Sequence, residues 1–116
     1  MTFSIRQVGP CFAGEVTGID LTKPLPSGVA QEIHDAMDEY AVLIFPDQNF
    51  TDETQIAFTE HLGEIEHSIG AGLRKPDEYR LSTHFADVSN LDKENKVYGR
   101  EDRRRLFAIG NRLWHS

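Results

Sequence analysis

Ala41-Val42-Leu43-Ile44-Phe45-Pro46-Asp47 decides the reading of the fold. Five consecutive apolar residues, several of them β-branched, predict a strand buried on both faces. Pro46-Asp47 ends it, because proline has no amide hydrogen to continue a ladder. On the N-terminal side, Val29, Ile33, Ala36, Met37 and Tyr40 recur at helical spacing, with Glu32, Asp35, Asp38 and Glu39 between them. This predicts an amphipathic helix over Val29–Tyr40, with Ser27 as its N-cap. On the other side a second helix is predicted over Asp52–Leu62. Thr51 can cap it, and Asp52 and Glu53 suit the positive end of the helix dipole. Ile56, Ala57, Phe58 and Leu62 supply its buried side, and Gly63 is placed to end it in a left-handed conformation.

Outward from this centre the signals weaken. Phe3–Val8 alternates apolar and polar residues and reads as a short strand broken by Gly9-Pro10. Gly14–Leu21 is a second extended piece, and Pro24, Pro26 and Gly28 make a turn-rich connection. Glu64–Pro76 is glycine-rich and irregular. Tyr79–Leu81 and Phe85–Val88 read as short strands, Leu91–Lys96 as a polar loop, and Leu106–Trp114 as a strand entering a core. The expected class is α+β, with helices Val29–Tyr40 and Thr51–Leu62 packed on a sheet that contains Ala41–Phe45.

Composition bounds the function. The 116 residues suit one small domain, with 39% hydrophobic and 27% charged residues. A formal net charge of −7 disfavours nucleic acid and anionic membranes as partners, since phosphates are repelled at long range. Cys11 is the single cysteine, so neither an intrachain disulfide nor a multi-cysteine zinc site can form. No apolar run approaches a membrane span of about 20 residues, and the first residues lack a secretory pattern. A cytoplasmic location is the default expectation.

Several stretches together resemble the taurine dioxygenase / 2,4-dichlorophenoxyacetate dioxygenase family. They are Ala41–Gln48, Gln55–Phe58 with Leu62–Glu66, Ala86–Asn90, and Asn111-Arg112-Leu113-Trp114-His115-Ser116. Each is weak alone, and their order and spacing carry the resemblance over the whole chain. It implies that residues 1–116 are the N-terminal portion of a double-stranded β-helix (jelly-roll) dioxygenase domain with flanking helices. It also implies Fe(II) and 2-oxoglutarate as cofactor and co-substrate, O2 as a reactant, and a small organic acid as substrate. Aryloxyalkanoates, taurine and related sulfonates belong to that class, and Trp-His-Ser leans toward aryloxyalkanoates.

In that family the Trp-His-Ser run continues into an aspartate. The histidine and the aspartate are two of three iron ligands, a distant histidine is the third, and a downstream arginine grips 2-oxoglutarate. The resemblance therefore assigns His115 as a metal ligand and Asn111 as a residue lining the substrate or co-substrate site, with a strand-end or turn asparagine as the equal alternative for Asn111. The spacing makes chemical sense, because residues two apart on a strand face one side and a two-His-one-carboxylate triad leaves three positions on Fe(II) open. The chain ends on Trp114-His115-Ser116, inside this motif, so we expect a fragment that is inactive alone.

Blander readings stand beside these. Trp114 suits core packing. His67, Ser68 and Arg74 read as a surface loop, and His34 and His61 as solvated helix residues. His84 has no partner at metal spacing. Asp87-Val88-Ser89-Asn90 reads as structural, with Ser and Asn bonding local backbone. Arg103–Arg105 beside Glu101 and Asp102 reads as a solvated, self-paired loop. Gly70-Ala71-Gly72 does not follow a strand, which argues against a phosphate loop. The competing function is a non-catalytic, acidic α+β interaction module, and a homo-oligomer is compatible with either reading.

Overall fold

Strand β1 (Ser4–Gln7) pairs antiparallel with β2 (Gly14–Thr17), with Ile5 opposite Val16. The chain then passes through helix α1 (Val29–Tyr40) into β3 (Leu43–Ile44), which joins β2 in parallel. The sheet order is β1-β2-β3. Helix α2 (Asp52–Leu62) follows. The computed structural model describes residues 1–67 and 75–109. They fall into two compact units, Met1–Ile65 and Glu66–Ser116. Ser68, Gly70-Ala71-Gly72, Arg74, Asn111, Trp114 and His115 lie outside the described residues.

The first unit has one core, made of Phe3, Val16, Leu21, Val29 and Ile33, with Leu43, Phe45, Phe58 and Leu62 packed against it. Each fully buried aliphatic side chain here is worth about 1.5–3 kcal/mol relative to exposure. Gly14 is required by a close approach: a Cβ there would stand 2.7 Å from Ile5 Cγ2 and 3.1 Å from the Tyr40 ring. Thr2 ties the N-terminus to α1, its amide donating to Glu32 Oε2 at 2.7 Å.

Both central helices occupy the expected residues, and α2 carries its expected cap. The Thr54 amide donates to Thr51 Oγ1 at 3.3 Å, and the Thr51 amide donates to Thr54 Oγ1 at 2.9 Å. Other expectations need correction. Helix α1 is not capped by Ser27. Gly28 holds the cap position at φ 86° without a side-chain bond, a left-handed conformation that glycine adopts freely. Met37 is exposed rather than part of the buried stripe, and Ala57 of α2 is exposed too. Gly63 leaves α2 in extended backbone, φ 164°, not a left-handed one.

The two-sided burial expected of Ala41–Phe45 does not hold. The strand is only Leu43–Ile44, and Val42 and Ile44 are 45% and 44% exposed. The cause is the two-residue side-chain period. Leu43 and Phe45 turn toward the core, while Val42 and Ile44 face the other side, which no described helix of this unit covers. Ala41 leaves α1 at φ 60°, and the Val42 amide reaches back to Tyr40 O at 2.7 Å, a tight γ-turn that consumes the first two residues of the run.

The second unit is mostly turns. A short 3₁₀ turn spans Pro76–Glu78. Tyr79–Leu81 and Phe85–Val88 are not strands; the one pairing among the described residues here is a bridge between Leu91 and Val97, which closes the segment read as a loop. Leu106 does not begin a strand either. Arg103–Ala108 forms helix α3, begun by Asp102, whose carboxylate accepts from the Arg104 amide at 2.9 Å. Aspartate is a strong N-cap, and it overrides the apolar run that follows. Leu106 and Phe107 are left exposed.

Candidate functional site

The residues that the resemblance assigns to the site, His115 and Asn111, lie outside the described residues. What can be built is the setting upstream of them. In the second unit a cavity of about 840 Å³ is lined by Tyr79, Arg80, Leu81, Phe85, Tyr98 and Arg104, among others. Its walls mix aromatic and aliphatic side chains with charged groups of both signs, Asp87, Asp92, Lys93 and Glu94 among them.

Arg80 is the clasp of this cavity. Its Nε and Nη2 donate to the two oxygens of Asp87, both at 2.8 Å, and its Nη1 donates to Asn95 Oδ1 at 3.1 Å. Bidentate pairing of this kind fixes orientation as well as charge. The Arg80 hydrogen bonds hold the Asp87 carboxyl below the usual carboxylate range. Asn95 stands at φ 61°, a conformation asparagine tolerates, within a turn that the Asp92 side chain closes by accepting from the Glu94 and Lys96 amides, both at 2.9 Å.

On another wall the Arg104 guanidinium lies 4.3 Å from the centroid of the Tyr98 ring and donates to Asp102 at 2.8 Å. Its pKa is raised, first by the Asp102 hydrogen bond. Both arginines are thus paired with carboxylates. The cavity combines aromatic surface with charged side chains of both signs. At the edge of the described segment, His67 and His84 bring their rings to 5.3 Å between centroids.

Sequence reading placed some of these residues well. Asp102 pairs with Arg104 as the self-paired reading requires. Ser89 bonds local backbone, accepting from the Leu91 amide at 3.3 Å. The Arg80–Asp87 clasp and the His67–His84 pair were missed, because both join segments whose approach depends on turns that carry no periodic signal. Among the described residues no group of three or more His, Cys, Asp or Glu side chains could hold a metal ion. These residues do not supply an iron site. Among the described residues no helix is long and apolar enough to cross a membrane.

Comparison with known proteins places the chain. The family model for taurine catabolism dioxygenase TauD, TfdA family, matches residues 4–116. The chain belongs to this family. It is 36% identical over its whole length to an alpha-ketoglutarate-dependent 2,4-dichlorophenoxyacetate dioxygenase of Cupriavidus pinatubonensis, covering 40% of that protein. It is 33% identical over 95 residues to an (S)-phenoxypropionate/alpha-ketoglutarate-dioxygenase of Sphingobium herbicidovorans, covering 80% of this chain and 33% of that one. The crystal structure of AAD-2 in complex with Mn(II) and N-oxalylglycine superposes with a TM-score of 0.84 at 48% identity, over 100% of this chain and 40% of that one. The fold is therefore that of the dioxygenase family, represented here by its N-terminal part. The chain spans about 40% of the length of the relatives it matches end to end.

Proposed function

We propose that this chain is the N-terminal part of an iron(II)/2-oxoglutarate-dependent dioxygenase that hydroxylates a small organic acid, with an aryloxyalkanoate as substrate class. The observation that carries the reading is the 48% identity to AAD-2 over the whole chain, in a complex with Mn(II) and N-oxalylglycine. N-oxalylglycine has the skeleton of 2-oxoglutarate with NH in place of one CH2, and Mn(II) takes the same nitrogen and oxygen ligands as Fe(II). The two phenoxy-acid relatives support the substrate class.

In this reading His115 is one metal ligand and Asn111 lines the site near substrate and co-substrate. The bound metal supplies oxygen activation, and the protein orients the reactants and excludes water. The net reaction joins substrate, 2-oxoglutarate and O2 to give hydroxylated product, succinate and CO2. One imidazole cannot hold iron specifically, so the 116 residues alone are inactive in this account. The test is a substrate panel of phenoxyacetate, phenoxypropionate and taurine, supplied with Fe(II) and 2-oxoglutarate to the protein in its complete form. Succinate formation that depends on the phenoxy acids supports the reading. Turnover of taurine alone overturns the substrate class, and no succinate with any substrate overturns the reaction.

A further inference from the structure

We propose that His67 and His84 form a two-imidazole chelate for a borderline divalent cation of the Zn(II), Co(II), Ni(II) or Cu(II) class. This chelate does not rest on the dioxygenase reading. An ion of this class lies about 2.0–2.1 Å from an imidazole nitrogen, and hence about 3.2 Å from the ring centroid. Two rings whose centroids are 5.3 Å apart then subtend about 110° at a shared ion, close to the tetrahedral angle zinc adopts. The planes are inclined by 45°, so the rings are neither stacked face to face nor set edge to face.

Two further features suit a ligand role. His84 Nδ1 lies 3.4 Å from Ser82 Oγ, a contact that orients the ring and leaves Nε2 for the ion. Metal-bound histidines are commonly held through their other nitrogen in this way. Both histidines are exposed, so the ion has an entry path and the vacant coordination positions can be filled by water. Among the described residues no group of three could hold a metal ion, so these residues supply two ligands. Imidazole donors select the borderline first-row metals over Mg(II) and Ca(II), which prefer oxygen. Bound, the ion cross-links the chain at His67 to the segment that carries Ser82 and His84.

The test uses the 116-residue chain, with Co(II) followed by its visible absorption and Zn(II) by competition with a chromophoric chelator. The expected result is one ion per chain. Loss of a residue that merely orients a ligand costs about 10- to 100-fold in affinity, so His67→Ala and His84→Ala should each weaken binding by at least tenfold. The double variant, which keeps neither ligand, should show no binding at this site. His115→Ala should leave this binding unchanged, which separates the site from the family's metal centre. Far-UV circular dichroism checks the folds, and His84→Gln serves as a second variant because the residue is exposed. Wild-type affinity in both single variants overturns the proposal. So does binding that disappears in His115→Ala while surviving in His67→Ala.

Discussion

Gln48 Oε1 accepts a hydrogen bond from the Leu21 amide at 2.7 Å, joining the turn after β3 to the loop after β2. The same carboxamide donates to Ile19 O at 3.1 Å and to Pro46 O at 3.2 Å. One side chain thus serves backbone groups of both crossings, and Leu21, 2% exposed, sits in the core. Gln48→Ala should destabilise the fold by about 1–3 kcal/mol, the cost of stranding a buried amide. Urea unfolding measures it. A loss below about 0.5 kcal/mol would mean that water replaces the carboxamide without penalty.

Asp20, in the loop Gln48 braces, has its pKa lowered to about 2 from an ordinary 3.8. The Lys23 side chain is the first cause, at 2.8 Å, followed by the Thr22 hydroxyl at 2.6 Å and the Thr22 amide at 3.0 Å. A depressed carboxyl stabilises the folded state above its unfolded pKa, and that contribution is lost as pH falls from 3.8 through 2. Because the group is exposed, salt screens part of the effect. An NMR titration should place the Asp20 midpoint near 2, and Asp20→Asn should flatten the acid limb of the stability curve. A midpoint near 3.8 would show that these bonds do not persist in solution.

Core packing gives a second pair of outcomes. Ile33→Ala removes one of the most buried side chains and should cost about 2–5 kcal/mol. Gly14→Ala should also destabilise, because its Cβ meets Ile5 and the Tyr40 ring without room. Thermal unfolding of both variants measures the effect. If Gly14→Ala melts with the wild type, the β2–Tyr40 contact is looser than described.

Ala41 points the other way. A non-glycine residue at φ 60° carries strain of about 1–2 kcal/mol, so Ala41→Gly should raise the melting temperature or leave it unchanged. The gain is reduced by the larger entropy of glycine in the unfolded chain. A clear drop in melting temperature would contradict the tight turn that joins α1 to β3.

What the sequence made legible follows from periodicity. Val29–Tyr40 and Asp52–Leu62 carried apolar residues at helical spacing, and Thr51 stood where a cap belongs, so both helices and one cap could be read directly. Ser27 looked like the better cap chemically, yet the backbone needed the left-handed φ that Gly28 provides. Ala41–Phe45 promised a strand buried on both faces, but only Leu43–Ile44 pairs, because the tight turn at Ala41 takes the start of the run and an apolar run cannot say which of its faces finds a partner. Arg103–Ala108 was hidden because the Asp102 cap preceded a charged stretch and an apolar one that together mimicked a loop and a strand. The family was legible through the order of weak motifs. Contacts between irregular segments, Arg80 with Asp87 and His67 with His84, had no local signature.

The assignment of His115 as a metal ligand in a 2-oxoglutarate-dependent dioxygenase is the central claim. It is tested most directly by succinate formation with Fe(II), 2-oxoglutarate and a phenoxy acid, comparing the complete protein with its His115→Ala variant. The account predicts turnover in the first and a loss of turnover by at least about 100-fold in the second, with circular dichroism unchanged, since deleting a ligand removes both charge balance and geometry at the metal. Full turnover in His115→Ala would contradict it.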